Sequence, residues 1–295
     1  MHDLCRTILV PMTDHPADAD SLKVALRLGQ RWGAHVRALY TAIDSRDAVA
    51  FLGEGMTAGM IEKVMEASAA DCRVRNTHCH EIYEAAVNSV GAPRREEPPP
   101  IGDGTPHSAY SASYEHATGR EDEVVAERGR MADLIVMPRP LPENGPSPVL
   151  EAALRDTGRP VFVVPQGTVP DGFGQRVAVG WNGSIECTRA LTAALPFLSA
   201  ASEVHILGVE PERNFGPPAA AVVDYLAWHG VPSAHRIVTR DPAGPGKALL
   251  RITQDLNADM LVLGAYSRSQ MRRLIFGGVT AEVLNRSPIP ALMTH

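Results

Sequence analysis

The stretch Ala258-Asp259-Met260-Leu261-Val262-Leu263-Gly264-Ala265-Tyr266-Ser267 leads, after nine intervening residues, into Gly277-Gly278-Val279-Thr280. An apolar run of strand length ends on glycine, and a second glycine pair precedes a helical pattern, so the segment reads as strand, loop, helix. It has an earlier counterpart in Ala132-Asp133-Leu134-Ile135-Val136-Met137. Working outward, Ile8-Leu9-Val10 matches Val177-Ala178-Val179, and the closing Arg159-Pro160-Val161-Phe162-Val163-Val164 matches Ile289-Pro290-Ala291-Leu292-Met293. The chain therefore repeats one α/β unit. After its Ala-Asp strand the first copy runs through Pro138, Pro140, Pro142, Pro146 and Pro148 instead of glycines, which implies one ligand site and not two.

Each copy opens with a short apolar strand, then a polar turn, Thr13-Asp14-His15-Pro16 or Trp181-Asn182-Gly183-Ser184, then a helical pattern. Leu22, Ala25, Leu26, Gly29 and Trp32 recur at helical spacing with Asp20 or Ser21 as the cap; Ala190, Leu191, Ala194, Leu195 and Leu198 follow Ser184. Second strands are expected at 35–40 and 203–209. Strands alternating with helices imply parallel pairing and a doubly wound sheet, whose ligands sit beyond the strand carboxyl ends where strand order switches. The expected domains are 1–167 and 175–295, joined by the Gly- and Pro-rich residues 167–174. Residues 92–118, with Pro98-Pro99-Pro100 and Gly102-Asp103-Gly104, read as an inserted loop. Before it, a helix is expected over about residues 57–70, its Met60 and Met65 serving as core.

With 295 residues, 44% hydrophobic and 21% charged, the chain is of ordinary globular composition and long enough for two cores. A net charge of -6 argues against general nucleic-acid affinity. No apolar run approaches the roughly 20 residues of a membrane span, and the first residues show no signal-peptide pattern. Cys5, Cys72, Cys79 and Cys187 are few and irregularly spaced, which fits reduced thiols and a cytoplasmic location.

Adjacent glycines let backbone N–H groups approach a ligand closely, and a helix amino end favours phosphate. Tight turns explain the same glycines equally well, and both readings stand. On these residues the chain resembles the universal stress protein family in its tandem form: the family's Gly, two residues, Gly, nine residues, Gly, Ser/Thr pattern appears as Gly264, Ser267, Gly277 and Gly278, with Val279-Thr280 following. The resemblance covers both halves and is sharper in the second. It implies two five-stranded parallel α/β units of the adenine nucleotide alpha hydrolase-like type, packed as a pseudo-dimer. It also implies a site in which Gly180, Trp181 and Asn182 hold adenosine and Val209 touches adenine. Leu263, Gly264, Ser267, Gly277, Gly278, Val279 and Thr280 then take ribose and phosphates. Three departures bear on ATP. Asn182 replaces an aspartate and leaves less to hold magnesium; Ser267 replaces a glycine; Gly278 removes a hydroxyl.

In the first half Thr13 stands at the aspartate position, and proline offers no N–H to phosphate. That half reads as degenerate. Gly244-Pro245-Gly246-Lys247 lacks the P-loop hydroxyl at Ala248 and reads as a turn; Gly172-Phe173-Gly174 precedes a strand and is not a dinucleotide fingerprint. Cys72, His78, Cys79 and His80 form the best metal candidate, but a strand would turn adjacent members to opposite faces, so no metal is expected. Arg268, Arg272 and Arg273 serve phosphates or a solvated face equally well, and Ser184 is not in a nucleophile elbow. The resemblance thus implies a non-enzymatic stress-response regulator that binds ATP in its C-terminal half and is read by a protein partner. The alternatives are a nucleotide-free interaction scaffold and, further off, a weak nucleotide hydrolase. Pairing of two chains is left open.

Overall fold

The computed structural model describes residues 5–44, 57–99, 110–141, 147–167, 169–209, 216–239, 241–265 and 278–295. The elements run β1 (Thr7–Met12), α1 (Asp18–Trp32), β2 (His35–Ala42), α2 (Ala58–Val90), β3 (Ser111–Thr118), α3 (Glu121–Gly129), β4 (Leu134–Pro138), α4 (Pro148–Asp156) and β5 (Val161–Val164). The second half follows with β6 (Arg176–Trp181), α5 (Ile185–Leu198), β7 (Glu203–Val209), α6 (Ala219–Trp228) and β8 (Ala234–Val238). It ends with α7 (Pro245–Asp255), β9 (Met260–Gly264), α8 (Gly278–Arg286) and β10 (Ala291–Thr294). Among the described residues each half contributes five strands. Two compact units emerge: Asp3–Met137 with Pro148–Thr157, and Pro138–Ser147 with Gly158–His295. Among the described residues no helix is long and apolar enough to cross a membrane.

In the first unit the strand order is β3-β2-β1-β4, all parallel. In the second it is β5-β10-β9-β6-β7-β8, parallel except that β5 runs antiparallel to β10 through Ala291↔Val163 and Met293↔Val161. Helices cover both faces of such sheets, so the central strands are apolar without alternation. Ile8, Leu9, Val10 and Ile135 are buried in one unit, and Met260, Leu261 and Val262 in the other. In the second unit Phe162 stacks on Phe197 at a centroid distance of 5.6 Å and meets Phe173 at 5.6 Å. Phe173, read from sequence as part of a linker, is core.

The repeated aspartates have a structural reason. Asp133, just before β4, accepts hydrogen bonds through Oδ2 from the N–H groups of Arg6 (2.8 Å) and Thr7 (3.0 Å) and from the Thr7 hydroxyl (3.1 Å). Asp259, just before β9, accepts from the N–H groups of Gly174 (3.0 Å), Gln175 (3.2 Å) and Arg176 (3.0 Å). Each carboxylate ties the amino end of a returning strand to that of the opening strand. Its partners are backbone donors, which a strand's first residues would otherwise leave unpaired.

Three expectations are corrected. The helix placed at 57–70 continues to Val90 and stops at Gly91 in a left-handed conformation. Between Cys72 and Val90 there is no Gly or Pro to end it, and Cys79, Tyr83, Ala86 and Val87 recur at helical spacing on its buried face. Residues 111–118, expected inside the inserted loop, are β3, paired with β2 along its whole length from His35↔Ser111 to Ala42↔Thr118. Its small polar residues hid it: Ser111 and Ser113 hydroxyls lie 2.9 and 3.0 Å from the two ring nitrogens of His35. Finally, α1 starts at Asp18, ahead of the expected caps Asp20 and Ser21, and Ser21 is a buried residue of its first turn. Ser184, by contrast, caps α5 as expected, accepting from the N–H of Cys187 at 3.2 Å.

Asp259→Ala leaves three backbone N–H groups at the entry to β6 without an acceptor, and Asp133→Ala leaves two at the entry to β1 with a hydroxyl. Each substitution is expected to lower unfolding free energy by about 2–3 kcal/mol, measured by denaturant titration. Losses below about 0.5 kcal/mol would show that the tethers are incidental.

Candidate functional site

In the second unit β6 lies between β7 and β9, so the chain leaves β6 toward one side and returns on the other. That is the switch in strand order at which open α/β sheets bind ligands. Gly180 of β6 sits opposite Leu263 of β9 and Leu207 of β7, which brings the carboxyl ends of these strands side by side. The turn after β6 and the segment after β9 therefore leave the sheet at neighbouring points.

Gly180 and Trp181 end β6. The Trp181 side chain is only 7% exposed, and its indole N–H donates to the Pro217 carbonyl at 2.8 Å. Asn182 is exposed, and its Oδ1 accepts from the Ser184 N–H at 2.9 Å, closing the turn into α5. Gly183 has φ +76°, and a Cβ there would lie 2.9 Å from the Gly216 nitrogen. The segment at 216–217 is thus clamped against the turn, and glycine is required on both grounds. The Asn182-Gly183 pair is a sequence signal for the turn, while nothing local in it points to residue 216.

Val209 is the last residue of β7, opposite Val238. Leu263 is buried at 2% exposure and belongs to the core. Gly264 ends β9, and a Cβ there would fall 2.5 Å from the Cys187 nitrogen and 2.8 Å from the Glu186 Cβ. This glycine lets β9 close onto the first turn of α5, where Thr294 also donates its hydroxyl to the Glu186 carbonyl at 2.8 Å. The tight-packing reading therefore accounts for Gly264. The Cys187 thiol, 3.5 Å from the Gly180 carbonyl, is buried there, and burial pushes its pKa up, which leaves it unreactive.

Gly278, Val279 and Thr280 open α8; Gly278 is exposed and Thr280 is 4% exposed. Around Gly278 the Cβ position is open space. A Cβ at Gly246, in the P-loop-like stretch, would lie 2.7 Å from the Glu282 Cβ and 3.0 Å from the Gly278 carbonyl oxygen, so that stretch is the close-packed start of α7. Ser267, Gly277, Arg268, Arg272 and Arg273 lie outside the described residues. Of the expected contacts, then, the geometry brings Gly180, Trp181, Asn182, Leu263 and Gly264 to one edge, with Trp181 and Leu263 turned to packing. Backbone groups and the Asn182 side chain are what this edge offers a ligand. A neutral amide already engaged in its own turn is a poor magnesium ligand.

The first unit differs at the matching place. Asp14 follows Thr13 with φ +58° and accepts from the His78 ring Nδ1 at 2.5 Å, while the Arg75 guanidinium lies 3.6 Å from it and donates to the Thr13 carbonyl at 2.9 Å. The chain's own side chains thus cover this turn. His78 and Cys79 belong to α2 and not to a strand; Cys79 is buried, and His80 meets Tyr114 edge-on at 4.9 Å. Among the described residues no group of three or more His, Cys, Asp and Glu side chains is placed to hold a metal ion. A cleft of about 360 Å³ opens beside Ala42, Asp44, Cys72, Asn76 and His116. None of the buried polar atoms lacking a partner belongs to it.

Residues 174–295 match the model of the universal stress protein family. Universal stress protein Slr1230 of Synechocystis sp. (strain ATCC 27184 / PCC 6803 / Kazusa) is 27% identical over 147 residues. That match takes in 48% of this chain and spans about half the relative's length, 49%. The solved structure of a universal stress protein from Archaeoglobus fulgidus DSM 4304 superposes with a TM-score of 0.67 at 16% identity, covering 98% of this chain and 97% of the other. A functionally unknown protein from Pseudomonas aeruginosa PAO1 superposes with a TM-score of 0.57 at 17% identity, covering 98% and 92%. At such identities the structures speak for the fold. The switch-point architecture of the second unit and the family match over the same residues agree, and residues 174–295 of this chain are a universal stress protein domain.

Proposed function

We propose that the C-terminal unit binds an adenine nucleotide, ATP in the first instance, at the carboxyl edge of β6 and β9, and that a protein partner reads its occupancy. The observation that supports this reading is that β6 and β9 end side by side, Gly180 opposite Leu263, at the switch in strand order, with α8 opening at Gly278 as the next described element after β9. A helix amino end and glycine backbone donors favour phosphate there without any side-chain charge. The nucleotide can signal to the partner only as far as its affinity differs between the states the partner distinguishes. The role is regulatory and not enzymatic. Free cysteines, three of them buried, fit work in a reducing cytoplasm.

A second reading, a nucleotide-free scaffold, draws on the engagement of Trp181 with Pro217 and of Gly264 with α5. Calorimetric titration of ATP into the full chain separates the two. Micromolar binding, weakened by at least about tenfold in Gly277→Val, supports the nucleotide reading; no heat at millimolar ATP supports the scaffold.

Two further outcomes follow from the geometry. Gly278→Ser places a hydroxyl in open space and is expected to tighten ATP by about three- to tenfold, with unchanged thermal stability. Removal of magnesium with a chelator is expected to change the affinity by less than about threefold, because Asn182 brings no charge; a larger loss would require a carboxylate elsewhere.

A further inference from the structure

We propose that the turn between β1 and α1 is a proton-operated latch, in which the buried Asp18 carboxyl, one oxygen on the Thr13 and His15 N–H groups and the other without a partner, holds the N-terminal unit tighter when protonated than when ionised. This is independent of nucleotide binding in the other unit.

Asp18 is the first residue of α1 and is 0% exposed. One carboxylate oxygen, Oδ2, accepts from the N–H groups of Thr13 (2.9 Å) and His15 (3.0 Å) and so holds the turn closed. The other, Oδ1, is buried without a partner. No cation lies against it among the described residues. Arg75 and His78, which α2 extends toward this turn, both face Asp14. The remaining groups near Asp18 are acidic or neutral. Asp14 and, from α3, Glu121 raise its proton affinity further, while the buried Cys79 thiol of α2 is pushed up to about 12 and stays protonated. His15 is kept neutral by burial; its Nδ1 accepts from the Ala17 N–H and its Nε2 has no partner.

An unpaired carboxylate in such surroundings is unfavourable, and a proton is the available neutraliser. Burial pushes the Asp18 pKa from 3.8 up to about 7; the two backbone donors oppose the shift, and Glu121 and Asp14 add to it. The helix dipole favours the anion but is outweighed. Because the folded value is raised, this contribution to stability is fully present below the unfolded value near 4. It is lost as pH rises, and it is gone above the folded value near 7. Within that window the group multiplies the unfolding constant by up to about tenfold per pH unit. Residues 13–15 occupy in this unit the position that 181–184 occupy in the other, so the latch governs the matching edge of the N-terminal sheet.

The test reads the Asp18 carboxyl carbon by NMR in the full chain, with no substitution needed. The latch predicts a titration midpoint near 7, moved downward in Glu121→Gln; a midpoint below about 5 would overturn it. Amide hydrogen exchange of residues 13–24 supplies the mechanical readout. Wild type and Asp18→Asn should exchange alike at pH 5.5, and at pH 8 wild type should exchange at least about tenfold faster. Equal ratios at both pH values would mean that Asp18 is only a structural tie. If Asp18→Asn does not fold, the carboxyl titration decides alone.

Discussion

Each half of the chain depends on one carboxylate at the amino edge of its sheet. Asp133 and Asp259 stand where a returning strand begins, and each gathers the first backbone donors of the opening strand and its approach. A carboxylate accepting two or three N–H bonds is a strong and directional tie. It sets β4 against β1, and β9 against β6, in one register, Ile8↔Leu134 and Val177↔Met260. Register at the amino edge dictates register at the carboxyl edge, because parallel strands rise together. The alignment of Gly180 with Leu263 at the carboxyl edge of the second unit is therefore decided at the far end of the sheet.

The same frame supports two different turns. After β6 the turn is neutral and clamped by backbone: Asn182 closes on Ser184, Gly183 touches Gly216, and Trp181 reaches Pro217. After β1 it is charged and clamped by side chains of a 33-residue helix: Arg75 and His78 hold Asp14, and Asp18 is sealed beneath. One turn is held by backbone contacts and a neutral side chain. The other fills its edge with groups whose charges depend on protons. The two turns thus differ in chemistry on the same strand–turn–helix frame.

What could be read from the sequence follows from how strongly each element signals. The strands at 134–138 and 260–264 are buried on both faces and read as uninterrupted apolar runs; Ser184 is a cap by its chemistry alone. The second half of α2 was missed because only its Cys79–Val87 stripe is buried while the rest is polar, and β3 because Ser111, Ser113 and Glu115 resemble loop composition. Gly264 was legible as a special position, but not that its missing side chain makes room for α5. Two glycines with one spelling carry different duties: Gly264 is hemmed in, Gly278 stands in the open. Asp18 gave no sign, since nothing in a sequence tells which of Asp14, Asp18 and Asp20 is enclosed.

The central claim is that the switch-point edge of the second unit is the place where an adenine nucleotide acts. Hydrogen exchange of the full chain, compared with and without saturating ATP, tests it most directly. The account predicts added protection at 180–184, 264–265 and 278–280, with the N-terminal unit unchanged. Unaltered exchange at those residues, or protection confined to the turn after β1, would contradict it.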